Sequence, residues 1–527
     1  MPTSPKAIQR FLLHRPDPPP LAFRGAEPDR LRALIERIGQ HKLLVKTQPR
    51  THQLEALAFA LWARRAILYY EMRTGKTKVA LDWLSYLIYS GILNQTALII
   101  AHAPIGVDEW ESQIPFHSHL DVAVIRSGPD STERFFDAAV NPHDAVIVSW
   151  STLQQIFTVK RVATHGAKRG REKLYVDRQL ARDAARFFGA AVIDEIHMAG
   201  NHDTLRFGIA SELVQHCAWR LGLTGTPFGR DPLLLWAQAF LIDGGEALST
   251  SFHFFRAAFC VEKYNPFRRW SKTDYAFDHK KMPLLRDKLS RATLHCALSD
   301  VQDVNVLAGV VRLRMSGEQQ QAYLEAVERL VKSRIGDAIE IDNVFLRLRQ
   351  IASGFLPFIN SAGEERIVDW PDAAKFVWLD DFLSAIPDFQ VVVFHEFIHT
   401  GQRICKLLDK HRIKYEWLHG GVTGRPELLK RFQTGESQVL VANAATGGMS
   451  IDLSAAEYLC FFESPVSLIA RRQAEARPLA RGSRPLVVDD LVCAPIEAKL
   501  LDYAAQGANL REALLRDPRK LAEELRK

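Results

Sequence analysis

The pattern of hydrophobic and polar positions predicts helices alternating with short buried strands in two stretches of the chain. In the first stretch, apolar runs bounded by polar or turn-forming residues predict strands at 66–70, 97–101, 122–125, 145–148, 190–193 and 219–223. In the second stretch they predict strands at 391–394, 415–418, 439–441, 458–462 and 486–491. Continuous apolar runs between helices are typical of parallel strands buried on both faces. The fold class is therefore α/β, with two parallel sheets.

The region between these stretches has a different character. Residues 250–350 lack short strands bounded by helices and are rich in aromatic and basic residues, which predicts a helical insertion. The Pro-rich start is followed by a predicted helix at 29–38, and the charged tail predicts an amphipathic helix pair. The predicted organisation is an N-terminal extension (1–40), a first lobe (41–249), a helical insertion or linker (250–371), a second lobe (372–496) and a helical tail (497–527).

Composition narrows the class of protein. The 527 residues are 47% hydrophobic and 24% charged, which excludes a largely disordered chain. The six cysteines are far apart and form no CxxC pair, which favours a reduced, cytoplasmic protein. The apolar run at residues 11–13 is too short for a signal peptide, and charged and amide residues interrupt the most hydrophobic window, 81–100. We therefore expect a soluble protein.

The positive charge is concentrated in one segment. The whole chain has a net charge of +7, and residues 160–186 contain nine basic residues and three acidic ones. Such a segment is typical of a surface that binds a polyanion such as nucleic acid. A solvated loop and helix face explains the same charges, and composition alone does not separate the two.

The first candidate for chemistry is a turn between a predicted strand and a predicted helix, formed by Thr74, Gly75, Lys76 and Thr77. Backbone N–H groups at such a helix start bind phosphates, the lysine reaches the β- and γ-phosphates, and the threonine hydroxyl is a Mg²⁺ ligand. Tyr70 occupies the position where the full phosphate-loop pattern has its first glycine. The alternative is an ordinary surface turn at a helix start.

The second candidate is an acidic strand end. Asp194 and Glu195 follow the apolar run 190–193, and the carboxyl ends of parallel strands are where ligands bind. Asp194 is the candidate Mg²⁺ ligand, through water, and Glu195 the candidate residue that polarises the attacking water. A third motif, residues 223–227, has hydroxyl groups that can hydrogen-bond to this pair. The alternatives are an acidic cap and an ordinary turn.

Taken in order, these motifs resemble those of superfamily 2 helicases and translocases of the Swi/Snf type, in the variety carried by phages and bacteria. The resemblance covers about residues 45–495. In the first lobe it rests on Gln53, at the position of the adenine-reading glutamine, and on segments 71–77, 100–111, 146–150, 194–201 and 223–227 followed by Trp236. In the second lobe it rests on segments 391–394, 418–421, 426–432, 445–453 and 473–477.

The resemblance implies two RecA-like lobes that hydrolyse ATP with Mg²⁺ at the cleft between them. It implies a catalytic set of Lys76, Glu195, Arg477 and Arg481, with the two arginines as fingers, and Mg²⁺ ligands Thr77 and Asp194. Gln53, Thr74, Gly75, Lys76, Thr77 and Asp194 would bind the nucleotide. Three positions depart from the family pattern: Arg73 and Ser450 replace glycines, and Arg481 stands one residue later than the expected second finger.

The function expected from these residues is ATP-dependent translocation along duplex DNA. Two alternatives remain open: a strand-separating helicase on DNA or RNA, and a nucleotide-binding scaffold with weak turnover. Aromatic and basic residues around Trp270 could grip or wedge DNA, or form the core of a helical protrusion.

Overall fold

A computed structural model describes residues 45–102, 104–162, 172–225, 232–264, 273–301, 306–332, 338–359, 363–385, 390–422, 424–443, 452–479, 485–506, 510 and 518–526. The described residues divide into two compact units, one of residues 45–264 with 273–301 and one of residues 306–526. The predicted helix at 29–38 lies outside the described residues.

The first unit contains eleven described strands. They are β1 (Arg65–Tyr70), β2 (Thr96–Ala101), β3 (Val122–Ile125), β4 (Ala145–Ser149), β5 (Thr158–Val162), β6 (Glu172–Val176), β7 (Phe188–Asp194), β8 (Trp219–Thr224), β9 (Cys260–Tyr264), β10 (Thr273–Phe277) and β11 (Thr293–Cys296). Its described helices are α1 (Thr51–Ala63), α2 (Lys76–Tyr89), α3 (Pro104–His117), α4 (Ser131–Val140), α5 (Trp150–Ile156), α6 (Arg178–Ala185), α7 (Leu205–Val214), α8 (Leu234–Asp243), α9 (Phe252–Phe259) and α10 (Met282–Leu289).

Seven of these strands form one parallel sheet in the order β11-β1-β8-β7-β2-β4-β3. Alternate residues of its central strands pack into separate hydrophobic clusters on the two faces, as Leu98 and Ile99 of β2 do. This explains the continuous apolar runs of the sequence. Strands β5 and β6 form an antiparallel hairpin of their own, and β9 and β10 form another.

The second unit has the same architecture. Its described strands are β12 (Val306–Arg312), β13 (Phe355–Ile359), β14 (Glu365–Asp369), β15 (Val391–His395), β16 (Tyr415–Leu418), β17 (Val439–Asn443), β18 (Tyr458–Phe461) and β19 (Leu486–Val492). Its described helices are α11 (Gly317–Lys332), α12 (Ala338–Ala352), α13 (Ala374–Ser384), α14 (Ile398–Lys410), α15 (Arg425–Gln433), α16 (Leu468–Ala476), α17 (Pro495–Ala505) and α18 (Pro518–Leu525). Six strands form a parallel sheet in the order β12-β19-β18-β15-β17-β16.

Local sequence fixes several helix starts. Ser149, Asp177 and Thr204 each accept a hydrogen bond from a backbone N–H of the first turn that follows, which satisfies a donor that the helix leaves open. Ser149 is the last residue of β4, Asp177 follows β6, and Thr204 lies in the loop before α7. The helices α5, α6 and α7 therefore begin where the sequence supplies a polar cap.

The two parallel sheets confirm the predicted fold class, but the prediction of a helical segment at 250–350 was wrong in part. That segment contains the β9–β10 hairpin, and its strands β11 and β12 join the first and second sheets respectively. Strand β11 lies at a sheet edge beside β1, and β12 is an edge strand with mostly exposed side chains. Strand β11 has no continuous apolar run, whereas β12 has one at 306–311 that the sequence prediction did not assign to a strand.

Candidate active site

The predicted catalytic segments meet at one edge of the first sheet. Strand β8 lies between β1 and β7, with Tyr69 opposite Thr224 and Asp194 opposite Leu223. The turn after β1, the end of β8 and the acidic end of β7 are therefore neighbours at the carboxyl edge of the sheet. This is the edge at which open parallel sheets bind ligands.

The turn after β1 is compact. The Lys76 ammonium donates a hydrogen bond to the Tyr70 carbonyl at 2.9 Å, and the Thr74 hydroxyl donates to the Glu71 carbonyl at 2.7 Å. Gly75 has φ 85°, and a Cβ there would lie 2.1 Å from Nε2 of Gln53, so only glycine fits. Arg73, which replaces a glycine of the family pattern, has φ 65°, a conformation that strains a residue with a side chain.

Gln53 and His52, at the start of α1, hold this turn. Gln53 accepts a hydrogen bond from the Arg50 N–H at 2.9 Å and donates one to the Thr74 carbonyl at 3.2 Å. His52 donates to the same carbonyl through Nε2 at 2.9 Å. Burial keeps the pKa of His52 below its usual value despite this hydrogen bond, which favours a neutral ring. The structure thus places Gln53 against the turn that was predicted to bind phosphate, and it adds His52, for which the sequence predicts no role.

The two adjacent carboxylates are buried and have separate partners. Oδ1 of Asp194 accepts the N–H of Glu195 at 3.0 Å, and Oδ2 accepts the indole N–H of Trp110 at 3.1 Å. His102 Nδ1 lies 3.6 Å from the same Oδ2. Helix α3 and the end of β2 therefore orient the predicted Mg²⁺ ligand. No pattern in the sequence indicates this contact, because 84 residues separate Trp110 from Asp194.

Glu195 points toward β8. Its Oε2 accepts the hydroxyl of Thr224 at 3.0 Å, as expected for the motif at 223–227, of which Thr226 and Pro227 lie outside the described residues. His197 Nδ1 lies 3.0 Å from the same oxygen and 2.9 Å from the Thr224 hydroxyl. Burial alone would raise the pKa of Glu195, but the His197 hydrogen bond and the charge of Lys76 hold it well below its usual range. Glu195 therefore stays ionised at neutral pH.

The donor set fits a Mg²⁺-bound nucleoside triphosphate. Thr77, half-buried in the first turn of α2, and Asp194 offer the oxygen ligands that Mg²⁺ prefers. A Cβ at Gly225 would lie 3.4 Å from the Lys76 ammonium and 3.2 Å from the Tyr70 carbonyl, so this glycine leaves the lysine accessible. The carboxyl edge of the sheet therefore brings together the Lys76 ammonium, the oxygen ligands of Thr77 and Asp194, and the ionised carboxylate of Glu195.

The structure describes only part of the predicted second-lobe motifs. Arg477 caps the C-terminus of α16 and is half-buried, whereas Arg481 and residues 445–451 lie outside the described residues. A different arginine of the same helix is tightly held: Arg471 pairs with Asp490 and Glu475 and stacks 3.6 Å from the ring of Phe461. Arg471 is thus committed to the second sheet.

The basic segment at 160–186 separates into two parts. Arg178 and Arg182 on α6 both pair with Glu212, at 2.7 Å and 2.8 Å, and Arg186 lies 3.6 Å from Asp183. Lys160, Arg161 and Lys173 are exposed on the β5–β6 hairpin. Lys168, Arg169 and Arg171 lie outside the described residues, as does Trp270. Part of the predicted positive surface is thus neutralised by acidic neighbours.

A phosphate-binding turn beside an acidic strand end, on a parallel sheet accompanied by a second such sheet, is the arrangement of a phosphate-loop nucleotide hydrolase. Family models match residues 52–354 to the SNF2-related domain and residues 374–481 to the helicase conserved C-terminal domain. The first match covers more than half of the chain. The chain belongs to the SNF2-related family and is a nucleic-acid-dependent ATPase.

Two relatives illustrate the similarity. Protein p41 of Acyrthosiphon pisum secondary endosymbiont phage 1 is 23% identical over 466 residues, covering 84% of this chain and 92% of that protein. The mouse chromodomain-helicase-DNA-binding protein 1-like is 23% identical over 494 residues, covering 89% of this chain. This chain spans about half of the mouse protein, since the match covers 49% of it.

Two solved structures are also similar to this chain. The Sulfolobus solfataricus SWI2/SNF2 ATPase core in complex with dsDNA is 18% identical with a TM-score of 0.38, covering 91% of this chain and 95% of that one. The Sulfolobus solfataricus SWI2/SNF2 ATPase core domain is 18% identical with a TM-score of 0.37, covering 91% of this chain and 93% of that one. Separately, among the described residues no helix combines the length and apolar character needed to cross a membrane.

Proposed function

We propose that this chain uses ATP hydrolysis to move along duplex DNA. The observation that carries the proposal is the meeting of Lys76, Asp194 and Glu195 at one sheet edge, in a chain that also has a helicase C-terminal domain. Phosphoryl transfer requires positioning and charge stabilisation rather than covalent chemistry by the protein. Such a site therefore suits ATP hydrolysis, and cycles of binding and hydrolysis can drive stepwise movement.

Each residue has a proposed role in ATP hydrolysis. Lys76 gives up its hydrogen bond to the Tyr70 carbonyl and binds the β- and γ-phosphates instead. Gln53 recognises the adenine base. Thr77 and Asp194 hold Mg²⁺, which would neutralise charge on the phosphate oxygens when bound. Glu195, kept ionised, accepts a hydrogen bond from the attacking water and orients it. Arg477 and Arg481 are the proposed cations that stabilise the charge of the transferring phosphate.

Phosphate release tests the catalytic roles. Lys76→Ala removes the charge that the β,γ-phosphates need, and we expect it to abolish ATP binding or turnover. Glu195→Gln is expected to bind ATP with parental affinity and to lose hydrolysis, because only the orientation of water changes. Hydrolysis by Glu195→Gln at the parental rate would refute the assignment of the acidic pair.

The nucleic-acid specificity is tested on the parental protein. We expect duplex DNA to stimulate hydrolysis more than single-stranded DNA or RNA, and we expect displacement of a triplex-forming strand without unwinding of a forked duplex. Fork unwinding without triplex displacement would support the strand-separating helicase instead. ATP binding without stimulation by any nucleic acid would support the nucleotide-binding scaffold.

A further inference from the structure

The β5–β6 hairpin has two different faces. Its strands form a separate antiparallel pair in which Thr158 is opposite Val176 and Arg161 is opposite Lys173. The Val176 side chain packs onto α7, where a Cβ added to Gly208 would lie 3.0 Å from Cγ2 of Val176. Because side chains alternate along a strand, Arg161, Lys173 and Tyr175 share the opposite face. That face points away from α7.

The outward face carries two cations and an aromatic ring. Arg161 and Lys173 are exposed, and Tyr175 is 37% exposed. The Lys173 ammonium lies 5.5 Å from the centre of the Tyr175 ring. Within the part of the chain that the structure describes, neither cation forms an ion pair, whereas Lys160 on the inner face lies 3.7 Å from Glu172. The outward face is therefore uniformly positive.

Two like charges directly opposite each other destabilise a strand pair. Arg161 and Lys173 occupy such a pair, with their Cβ atoms about 5 Å apart by the geometry of antiparallel strands. Successive phosphate groups bound one to each side chain would neutralise both charges and remove the repulsion. The pairing of Arg161 with Lys173 therefore destabilises the free hairpin, and a bound polyanion would remove this cost.

We propose that this outward face binds the phosphate backbone of the nucleic acid on which the ATPase acts. The inference rests on the proposed function, since it takes duplex DNA as the polyanion. Repeated phosphates complement a cross-strand pair of cations, and contacts to phosphates depend on charge rather than base sequence. The face is a contact surface outside the ATP-binding edge of the sheet.

The experiment measures duplex DNA affinity as a function of salt concentration. The test variant is Arg161→Gln with Lys173→Gln. The matched control is Lys160→Gln with Arg186→Gln, which also removes two positive charges from the first unit. Both side chains are 73% exposed, and each already lies near an acidic residue. Hydrolysis of ATP without DNA is expected to stay parental in both variants, and the melting temperature of the test variant is expected to be no lower than the parental one, because its two like charges are removed.

Each phosphate contact contributes about 0.9 to the slope of log affinity against log salt, so the test variant is expected to lose roughly 1.8 from that slope. The control is expected to keep the parental slope. An unchanged slope in the test variant would overturn the proposal and leave an acidic protein as the candidate partner of this face. An equal loss of slope in the control variant would also overturn it. A parental protein that binds no duplex DNA would instead refute the proposed function itself.

Discussion

The hydrogen bond between Thr224 and Glu195 offers a sharp test of the candidate active site. Thr224→Val keeps the shape of the side chain but removes the hydroxyl that donates to Oε2 of Glu195 at 3.0 Å. A hydrogen bond to a charged group contributes roughly 1.5–3 kcal/mol. If this bond positions Glu195 for the attacking water, losing it raises the activation barrier by about that amount, which corresponds to a fall in kcat of roughly 10- to 150-fold.

The fall is expected in kcat and not in the affinity for ATP, because the phosphate-binding turn is untouched. It is also expected to persist between pH 6 and 8. Burial would raise the pKa of Glu195, but the His197 hydrogen bond and the charge of Lys76 hold it well below its usual range, and Thr224→Val leaves both groups in place. Glu195 therefore stays ionised in that range, and the loss comes from its orientation rather than its protonation.

The assay is DNA-stimulated phosphate release at saturating ATP, with nucleotide affinity measured separately. Thr224→Ser is the matched control, since it keeps the hydroxyl, and we expect it to retain most of the parental rate. A Thr224→Val rate within twofold of the parental one would refute the reasoning. An equal loss in Thr224→Ser would show that the methyl group, not the hydroxyl, is what matters.

Three further predictions concern the metal site, the two arginines of the second lobe and an ion pair of the first. Trp110→Phe, which removes the indole N–H that orients Asp194, should raise the Mg²⁺ concentration for half-maximal hydrolysis by about tenfold, equal to roughly 1.4 kcal/mol; an unchanged Mg²⁺ titration would contradict this. Arg477→Ala should lower turnover with little change in ATP affinity, and Arg481→Ala should act similarly; parental rates in both would show that another cation stabilises the phosphate. Lys78 and Asp82 form a buried ion pair on α2, so Lys78→Met alone should cost about 3–5 kcal/mol of unfolding free energy, whereas Lys78→Met with Asp82→Leu should be near neutral; equal losses in a denaturation experiment would refute the pairing.

The sequence predicted the central strands of both sheets well, for a physical reason. Strand β4 was predicted at 145–148 and runs Ala145–Ser149, and β15 was predicted at 391–394 and runs Val391–His395. A strand covered on both faces needs apolar side chains at every position, and this leaves a continuous run. Strand β11, at the edge of the first sheet, contains a half-buried histidine between apolar residues, has no such run and was missed. Strand β12 was missed although residues 306–311 form an apolar run, because the surrounding segment was interpreted as helical.

The candidate site also contains residues that the sequence predicted and partners that it did not. Lys76, Asp194 and Glu195 could be found because each lies in the segment that follows a predicted strand, and parallel strands end at the same edge. The partners of those residues could not, because a contact such as that between His52 and Thr74 depends on how a helix packs over the turn. The order of the strands in the sheet is a second reason why these contacts could not be predicted. Strands β1 and β7 are both neighbours of β8, which follows both of them in sequence.

The different partners of Asp194 and Glu195 follow from one backbone conformation. Asp194 ends β7, whose neighbours are β2 and β8, and Glu195 has φ 46°, in the left-handed region that costs a residue with a side chain roughly 1–2 kcal/mol. With this turn, Asp194 contacts Trp110, which follows β2, while Glu195 contacts Thr224, which ends β8. Two carboxylates that are adjacent in sequence thereby face different sides of the site. This division is what the proposed chemistry requires, since one carboxylate must hold a metal ion while the other orients a water molecule.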